Sequence, residues 1–320
     1  MARIFYLLFS NGGLTGGHKM LLRQVETLRD LGFDACAMLG PTSKAPRGVS
    51  HRAPIISPQA PAPDDIIVIP EEAHEAMRLN QQRPERSVVL IQSWSILSEV
   101  GFQGLDSFGA GATPPLLVAS PGLRDLMRRL YPEAQIELVP CFADERLFRP
   151  SAKTDAVACA PSKRERELQM IHNLFRRLHP RHARLPWGLL RTAPEEKVAS
   201  MFAQSSLHLG LGRLESVGLV TLEALASGCV CAGFTGVGGR EYATADNGFW
   251  VADDDCVAAA DALAAAADLV RTGGAALSAR VEAGQETARQ WSYARFRAAL
   301  EDAWMRLAPE ARLRNGPLEL

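Results

Sequence analysis

Two doubly wound α/β domains of Rossmann-like plan are predicted by three observations. Short apolar runs alternate with helix-period segments along the 320 residues, a glycine-rich loop follows the first such run, and the alternation restarts after residue 150. The length suits two domains of ordinary size, each able to bury its own core. In such sheets ligands sit at the strand C-terminal ends, so an interdomain cleft is expected to hold the site.

The first domain is expected over 1–150. Ile4 to Phe9 is an apolar run of strand length, and Gly12-Gly13-Leu14-Thr15-Gly16-Gly17 follows it. Leu21, Val25 and Leu28 then share one helical face before a second strand from Phe33 to Leu39. That βαβ order implies a parallel sheet. Six prolines between Pro41 and Pro63 predict a surface loop rather than an element. Further strands are expected at Ile66 to Ile69, Val88 to Gln92, Leu116 to Ala119 and Ile136 to Val139. The second domain, 151–320, repeats the plan with strands at Ala156 to Ala160, Trp187 to Leu190, Leu207 to Leu211, Val230 to Phe234 and Gly248 to Val251. Three alanine-rich helical segments close it.

A hydrophobic content of 47% and a net charge of −1 describe a globular protein without the basic excess of a nucleic-acid binder. None of the six cysteines forms a Cys-x-x-Cys pair, which argues against a zinc or thiol-redox site and suits a reducing compartment. Met1-Ala2 leads into Arg-Ile-Phe-Tyr-Leu-Leu-Phe, too short for a signal peptide and followed by Ser-Asn-Gly-Gly, so a cytoplasmic first strand is expected. No run reaches the ~18 apolar residues of a spanning helix, and any membrane contact is peripheral, at the inner face.

The most informative stretch runs from Glu215 to Tyr242. Gly218 opens an apolar-periodic segment (Leu219, Leu222, Leu225, Ala226) that Gly228 closes, so a short helix starts just after Glu215 and carries Glu223. Free N–H groups at that helix start suit phosphates, and a carboxylate two turns along suits neighbouring sugar hydroxyls. Glutamates eight apart arise often by chance among 36 acidic residues; the context carries the weight.

That context, Glu-x7-Glu followed by a small-residue strand and a Gly-Gly loop, resembles the donor-binding motif of the retaining GT-B glycosyltransferases of family four (glycosyl transferases group 1). The resemblance implies a GT-B fold and a nucleoside-diphosphate sugar as co-substrate, with no cofactor and no metal. By it Glu223 would hold the nucleotide ribose and Glu215 would approach the transferred sugar. Gly218 and Leu219 would give backbone N–H groups to the diphosphate, and Ser216 would be a further donor-binding residue. It also places the Val237-Gly238-Gly239-Arg240-Glu241 loop over the donor sugar, and Gly16 and Gly17 of the first loop near donor phosphate and acceptor. The acceptor implied is a glycan or lipid-linked hydroxyl.

Pro161-Ser162-Lys163-Arg164 closes the first strand of the second domain and opens a helix. Cations sit badly at a helix start unless an anion is present. Relatives bind the donor diphosphate there, so Lys163 and Arg164 are the choices for stabilising the leaving group. From Lys163 to Arg191 eight basic residues face two acidic ones, an excess better read as a solvated helix end and loop than as a lipid-binding surface. Asp253-Asp254-Asp255 precedes a helix, where capping acids belong, and is rejected as a metal motif.

Two departures stand against the resemblance. Many relatives place a histidine after a middle strand of the first domain where this chain has Ile91-Gln92-Ser93-Trp94, and the second domain is one strand–helix unit short of the common plan. Alternatives therefore stay open. One is a catalytically inactive relative that binds nucleotide sugar or glycan as a sensor or assembly partner. The other, a Rossmann dehydrogenase, is disfavoured because the first glycine loop lacks Gly-x-Gly-x-x-Gly spacing and no acid closes the second strand.

Overall fold

A computed structural model describes residues 2–109, 111–161, 164–191 and 193–313. They form two compact units, one of Met1–Cys141 with Phe296–Leu320 and one of Phe142–Arg295.

The first unit is built on seven strands: β1 (Ile4–Leu8), β2 (Ala35–Leu39), β3 (Ile55–Ile56), β4 (Ile66–Pro70), β5 (Ser87–Ile91), β6 (Leu116–Val118) and β7 (Ile136–Leu138). All pair in parallel, in the order β3-β2-β1-β4-β5-β6-β7. The order reverses between β1 and β4, which makes their C-terminal ends the topological switch point. β1, β4 and β5 are buried at every residue, as continuous apolar runs of a sheet covered on both faces should be. β3 corrects the sequence reading: within the proline-rich segment, Ile55 and Ile56 add a two-residue edge strand to β2, since neither residue is proline and both can pair.

The second unit carries β8 (Thr154–Cys159), β9 (Trp187–Leu189), β10 (Ser205–Gly212), β11 (Val230–Thr235) and β12 (Gly248–Val251). These too are parallel, in the order β12-β11-β10-β8-β9, so the switch point lies between β8 and β10. The helix Cys256–Thr272 covers one face, and Ala259, Ala260, Leu263 and Ala264 pack against Val157, Leu207, Val230 and Phe234 in one core. Its alanines let the helix lie close to the strands.

The units divide at points other than the expected boundary at Pro150. Phe142 to Glu145 are tied to residues near the end of the second unit: Ala143 N–H donates to Trp291 O at 2.9 Å, Tyr293 N–H donates to a Glu145 oxygen at 2.8 Å, and the Arg146 guanidinium lies 3.7 Å over the Tyr293 ring. The third alanine-rich helix, Tyr293–Leu307, belongs mostly to the first unit instead of closing the second. Its Trp304 is fully buried and donates to Tyr6 Oη at 3.1 Å, and the Tyr6 hydroxyl donates to Gln24 Oε1 at 2.9 Å. Arg306 adds a bidentate pair with Glu137, 2.7 Å at its shortest. No described helix is long and apolar enough to cross a membrane.

Trp304→Ala deletes a fully buried ring and removes the donor to the Tyr6 hydroxyl, which keeps its bond to Gln24, and should destabilise the first unit by about 3–5 kcal/mol. Urea unfolding followed by a probe in each unit should show the first unit's transition move and the second's stay.

Candidate active site

At the switch point of the second sheet two loops leave adjacent strands. β8 ends at Cys159 and leads through Pro161 to Arg164; β10 ends at Gly212 and leads through Glu215 to Gly218. The helix Leu219–Ala226 follows, so the local reading of the sequence holds: Glu215 precedes the helix and Glu223 lies on it.

Gly218 makes this turn. It is the N-cap, with φ 75° and ψ 54°, a left-handed conformation in which a side chain is strained. No side chain caps the helix, so its first N–H groups have no cap from that quarter. A β-carbon at Gly218 would stand 3.0 Å from Tyr242 Oη. Tyr242 instead donates to Gly218 O at 2.9 Å and fixes the turn from behind.

The second glycine loop locks the first. Gly236–Gly239 is a single helical turn, and a β-carbon at Gly238 would fall on the backbone of Ser216 and Val217. Val237 N–H donates to Arg213 O at 2.7 Å, and Asp253 holds the turn through Gly236 N at 3.2 Å and Arg240 at 2.8 Å. Ser216, Gly218, Gly238 and Gly239 are thus one packed unit. Leu219 opens the helix beside them. The Glu215 carboxylate accepts from Arg213 N–H, and Glu223 is buried at 3% exposure. Burial raises the Tyr242 hydroxyl, a hydrogen bond with Thr221 opposes that, and Cys231, Glu215 and Glu223 add smaller upward pushes.

Tyr242 belongs to a buried polar ladder that sequence reasoning missed. His208 on β10 points Nδ1 at Ala158 O of β8, 3.0 Å away; a carbonyl only accepts, so Nδ1 carries the hydrogen. Nε2 then faces Thr221 Oγ1 at 3.5 Å, and Thr221 in turn hydrogen-bonds Tyr242. Burial pushes the His208 imidazole down to about 4, so the ring is neutral. The ladder ties β8, β10 and the helix start together. Its members stand 13 to 50 residues apart, and no local spacing announces it.

Lys163 and Ser162 lie outside the described residues. Arg164 is placed, and its guanidinium is already committed: it pairs with Asp254, with Glu167 at 3.2 Å, and donates to Gly212 O at 2.9 Å, while lying 5.0 Å over the Phe234 ring. The anion that a cation at a helix start requires is supplied by this chain's own acids, so Arg164 braces the end of β10. Asp253 and Asp254 hold Arg240 and Arg164, and Asp255 caps the helix Cys256–Thr272 by accepting from Ala258 N–H at 2.9 Å. Part of the basic tract is likewise paired: His179 with Asp261 at 2.8 Å, and Arg181 and His182 with Asp268.

In the first unit the loop Gly12–Thr15 leads into the helix Gly16–Asp30, whose N-cap Thr15 accepts from His18 N–H at 3.1 Å. His18 also faces Gly13 O at 3.2 Å and Phe9 O at 2.9 Å through its two ring nitrogens, so it fastens the loop.

No family model matches the chain. It is 23% identical over 239 residues to the Alpha-1,6-glucosyltransferase of Actinobacillus pleuropneumoniae serotype 7 (strain AP76), a match covering 72% of each. Its fold is similar to that of the sucrose-phosphate synthase of Thermosynechococcus elongatus, with TM-score 0.70, 14% identity, and coverage of 97% of this chain and 100% of that one. It is also similar to HepE of Anabaena, solved in complex with UDP and glucose, with TM-score 0.58, 13% identity, and coverage of 96% and 100%. Two parallel-sheet α/β domains matching GT-B glycosyltransferases is therefore the fold of this chain, and together the likenesses support an enzyme of the transferase class.

The His208 ladder makes stability depend on acid. A ring held at about 4 when folded and at its ordinary 6.5 when unfolded contributes stability that is whole above pH 6.5 and is lost as pH falls toward 4, roughly 3 kcal/mol over that window. Urea midpoints of parent and His208→Gln, measured from pH 7.5 to 4, should shift in the variant's favour by about that amount.

Proposed function

We propose that this chain is a glycosyltransferase that moves a sugar from a nucleoside-diphosphate sugar to an acceptor hydroxyl of a glycan or lipid-linked glycan, with retention of configuration and without a metal. One observation carries the reading: at the switch point of the second sheet a left-handed glycine opens a helix whose uncapped N–H groups stand between Glu215 and Glu223. The names of the relatives support it, one a glucosyltransferase and one solved with UDP and glucose.

In this reading the N–H groups of Gly218 and Leu219, with Ser216, receive the diphosphate, and the helix dipole favours its charge. Glu223 accepts from the ribose hydroxyls and Glu215 stands by the transferred sugar. Gly238 and Gly239 let the backbone approach the donor. The acceptor oxygen bonds to the anomeric carbon as the bond to the diphosphate oxygen breaks, and negative charge grows on the leaving group. Lys163 is the cation assigned to that charge, Arg164 being engaged elsewhere. Gly16 and Gly17 offer N–H groups at the helix start of the first unit to phosphate or acceptor. UDP is the nucleotide assigned to the donor.

Gln92 favours a second reading, an inactive relative that binds without turnover, because an amide cannot serve as a base. Turnover of a nucleotide sugar separates the two.

Thermal unfolding against UDP, GDP, ADP, CMP, dTDP and NAD tests the donor site. A ligand at 100 times its Kd adds roughly 2.7 kcal/mol of stability. One nucleoside diphosphate should stabilise the parent and not Glu223→Ala or Lys163→Ala. Stabilisation by NAD alone would replace this reading with a dehydrogenase.

A further inference from the structure

Three of the buried polar side-chain atoms without a hydrogen-bond partner among the described residues come from one place, the C-terminal ends of β4 and β5: Glu71 Oε2, His74 Nδ1 and Trp94 Nε1. β4 ends at Pro70 and β5 at Ile91, so Glu71 and Gln92 are the first residues past two paired strands, beside the switch point of the first sheet.

Glu71 is 1% exposed. Its backbone N–H continues the ladder to Leu90 O at 3.0 Å, and its Oε1 accepts from Gln92 N–H at 3.0 Å. The backbone of Ser93 adds a further bond. The carboxyl therefore sets the path by which the chain leaves β5. On the other side Gly101 closes over it, where a β-carbon would lie 3.3 Å from Glu71 O and 3.4 Å from Glu71 Cβ. The Gln92 side chain is half-buried and reaches the helix that follows the glycine loop: a β-carbon on Gly17 would stand 3.5 Å from Gln92 Nε2. The next residue, Glu72, lines a cavity of about 750 Å³ whose walls include Leu7, Phe9, Met38 and Ile67.

We propose that Glu71 positions Gln92, and that Gln92, Gly17 and the adjoining rim of the first sheet form a site for a neutral, hydroxyl-bearing acceptor. The inference rests on the glycosyltransferase reading and adds to it the group that orders the acceptor end. Charge supports a neutral ligand. Burial, then repulsion from Glu72, pushes the Glu71 carboxyl up to about 8, so it is uncharged at neutral pH. Glu72 is raised by burial and opposed by His18 from the glycine-loop helix; Gly101 brings only backbone, and Glu99 on the same turn is exposed. The half-buried Gln92 amide, which both donates and accepts, suits hydroxyl groups and gives nothing specific to a phosphate. Above pH 8 an ionised Glu71 would be a buried charge beside Glu72, and the Gln92 segment should loosen.

The test is saturation-transfer NMR with methyl glucoside, maltose and cellobiose as neutral probes and glucose 1-phosphate as the charged one, in the presence of UDP, between pH 6.5 and 9.5. The parent should bind at least one neutral saccharide more tightly than the phosphate, with affinity falling above about pH 8. Glu71→Gln, which keeps shape and remains uncharged, should bind at pH 7 within about threefold of the parent and lose the alkaline fall. Glu71→Ala and Gln92→Ala should weaken saccharide binding tenfold or more while UDP affinity stays within twofold. Absence of any saccharide signal in the parent, preference for the phosphate, or the same pH dependence in parent and Glu71→Gln overturns the proposal. Should Glu71→Ala fail to fold, the comparison of Glu71→Gln with the parent still decides. UDP binding is read separately: its retention with loss of the saccharide result defeats this site alone, and its absence defeats the donor reading.

Discussion

The left-handed turn at Gly218 is the constraint on which the candidate site depends. Without it the chain leaving β10 could not reverse into a helix whose N–H groups stand beside the strand end. The rest of the site is built to keep that turn in place. Tyr242 holds its carbonyl, the Gly236–Gly239 turn packs on the preceding loop, and the His208–Thr221 ladder fastens helix to sheet from below. A helix of eight residues is too short to be stable by itself, so tertiary ties must hold it. Burying the ladder costs desolvation, offset because its members bond one another.

Much of this is legible in the sequence, and the reasons are physical. Parallel strands buried on both faces read as continuous apolar runs, so eleven of the twelve strand positions stand out in the composition of Ile4–Leu8, Ile66–Pro70 or Val230–Thr235 and their like. β3 does not, because two residues set among prolines carry no period. Glycine bracketing shows the helix Leu219–Ala226, since Gly218 and Gly228 act locally. What escapes is everything fixed across long separations. Arg164 meets Asp254 90 residues away, and Ala158 meets His208 50 residues away. The boundary at Cys141 is set by contacts of residues 143 to 146 with residues 291 to 293, which a search for a linker cannot see.

The same architectural rule gives both sheets a switch point, and the two are furnished differently. The second presents glycine-rich turns, uncapped amides and two carboxylates, a set suited to a polyanionic ligand bearing sugar hydroxyls. The first presents buried Glu71, half-buried Gln92 and a helix start pinned by Thr15 and His18. Arg164 shows how burial ties a residue down: basic and near the strand end, it is held through Nε by Gly212 and through Nη1 by Asp254 and Glu167.

The central claim is that a nucleoside diphosphate binds at the Gly218 helix start. Amide NMR of isotope-labelled protein titrated with UDP measures this at each residue. The account predicts saturable shifts concentrated at Glu215 to Val220 and Gly236 to Arg240, abolished by Glu223→Ala. Shifts confined to the glycine loop of residues 12 to 17, with the second unit unmoved, would contradict it.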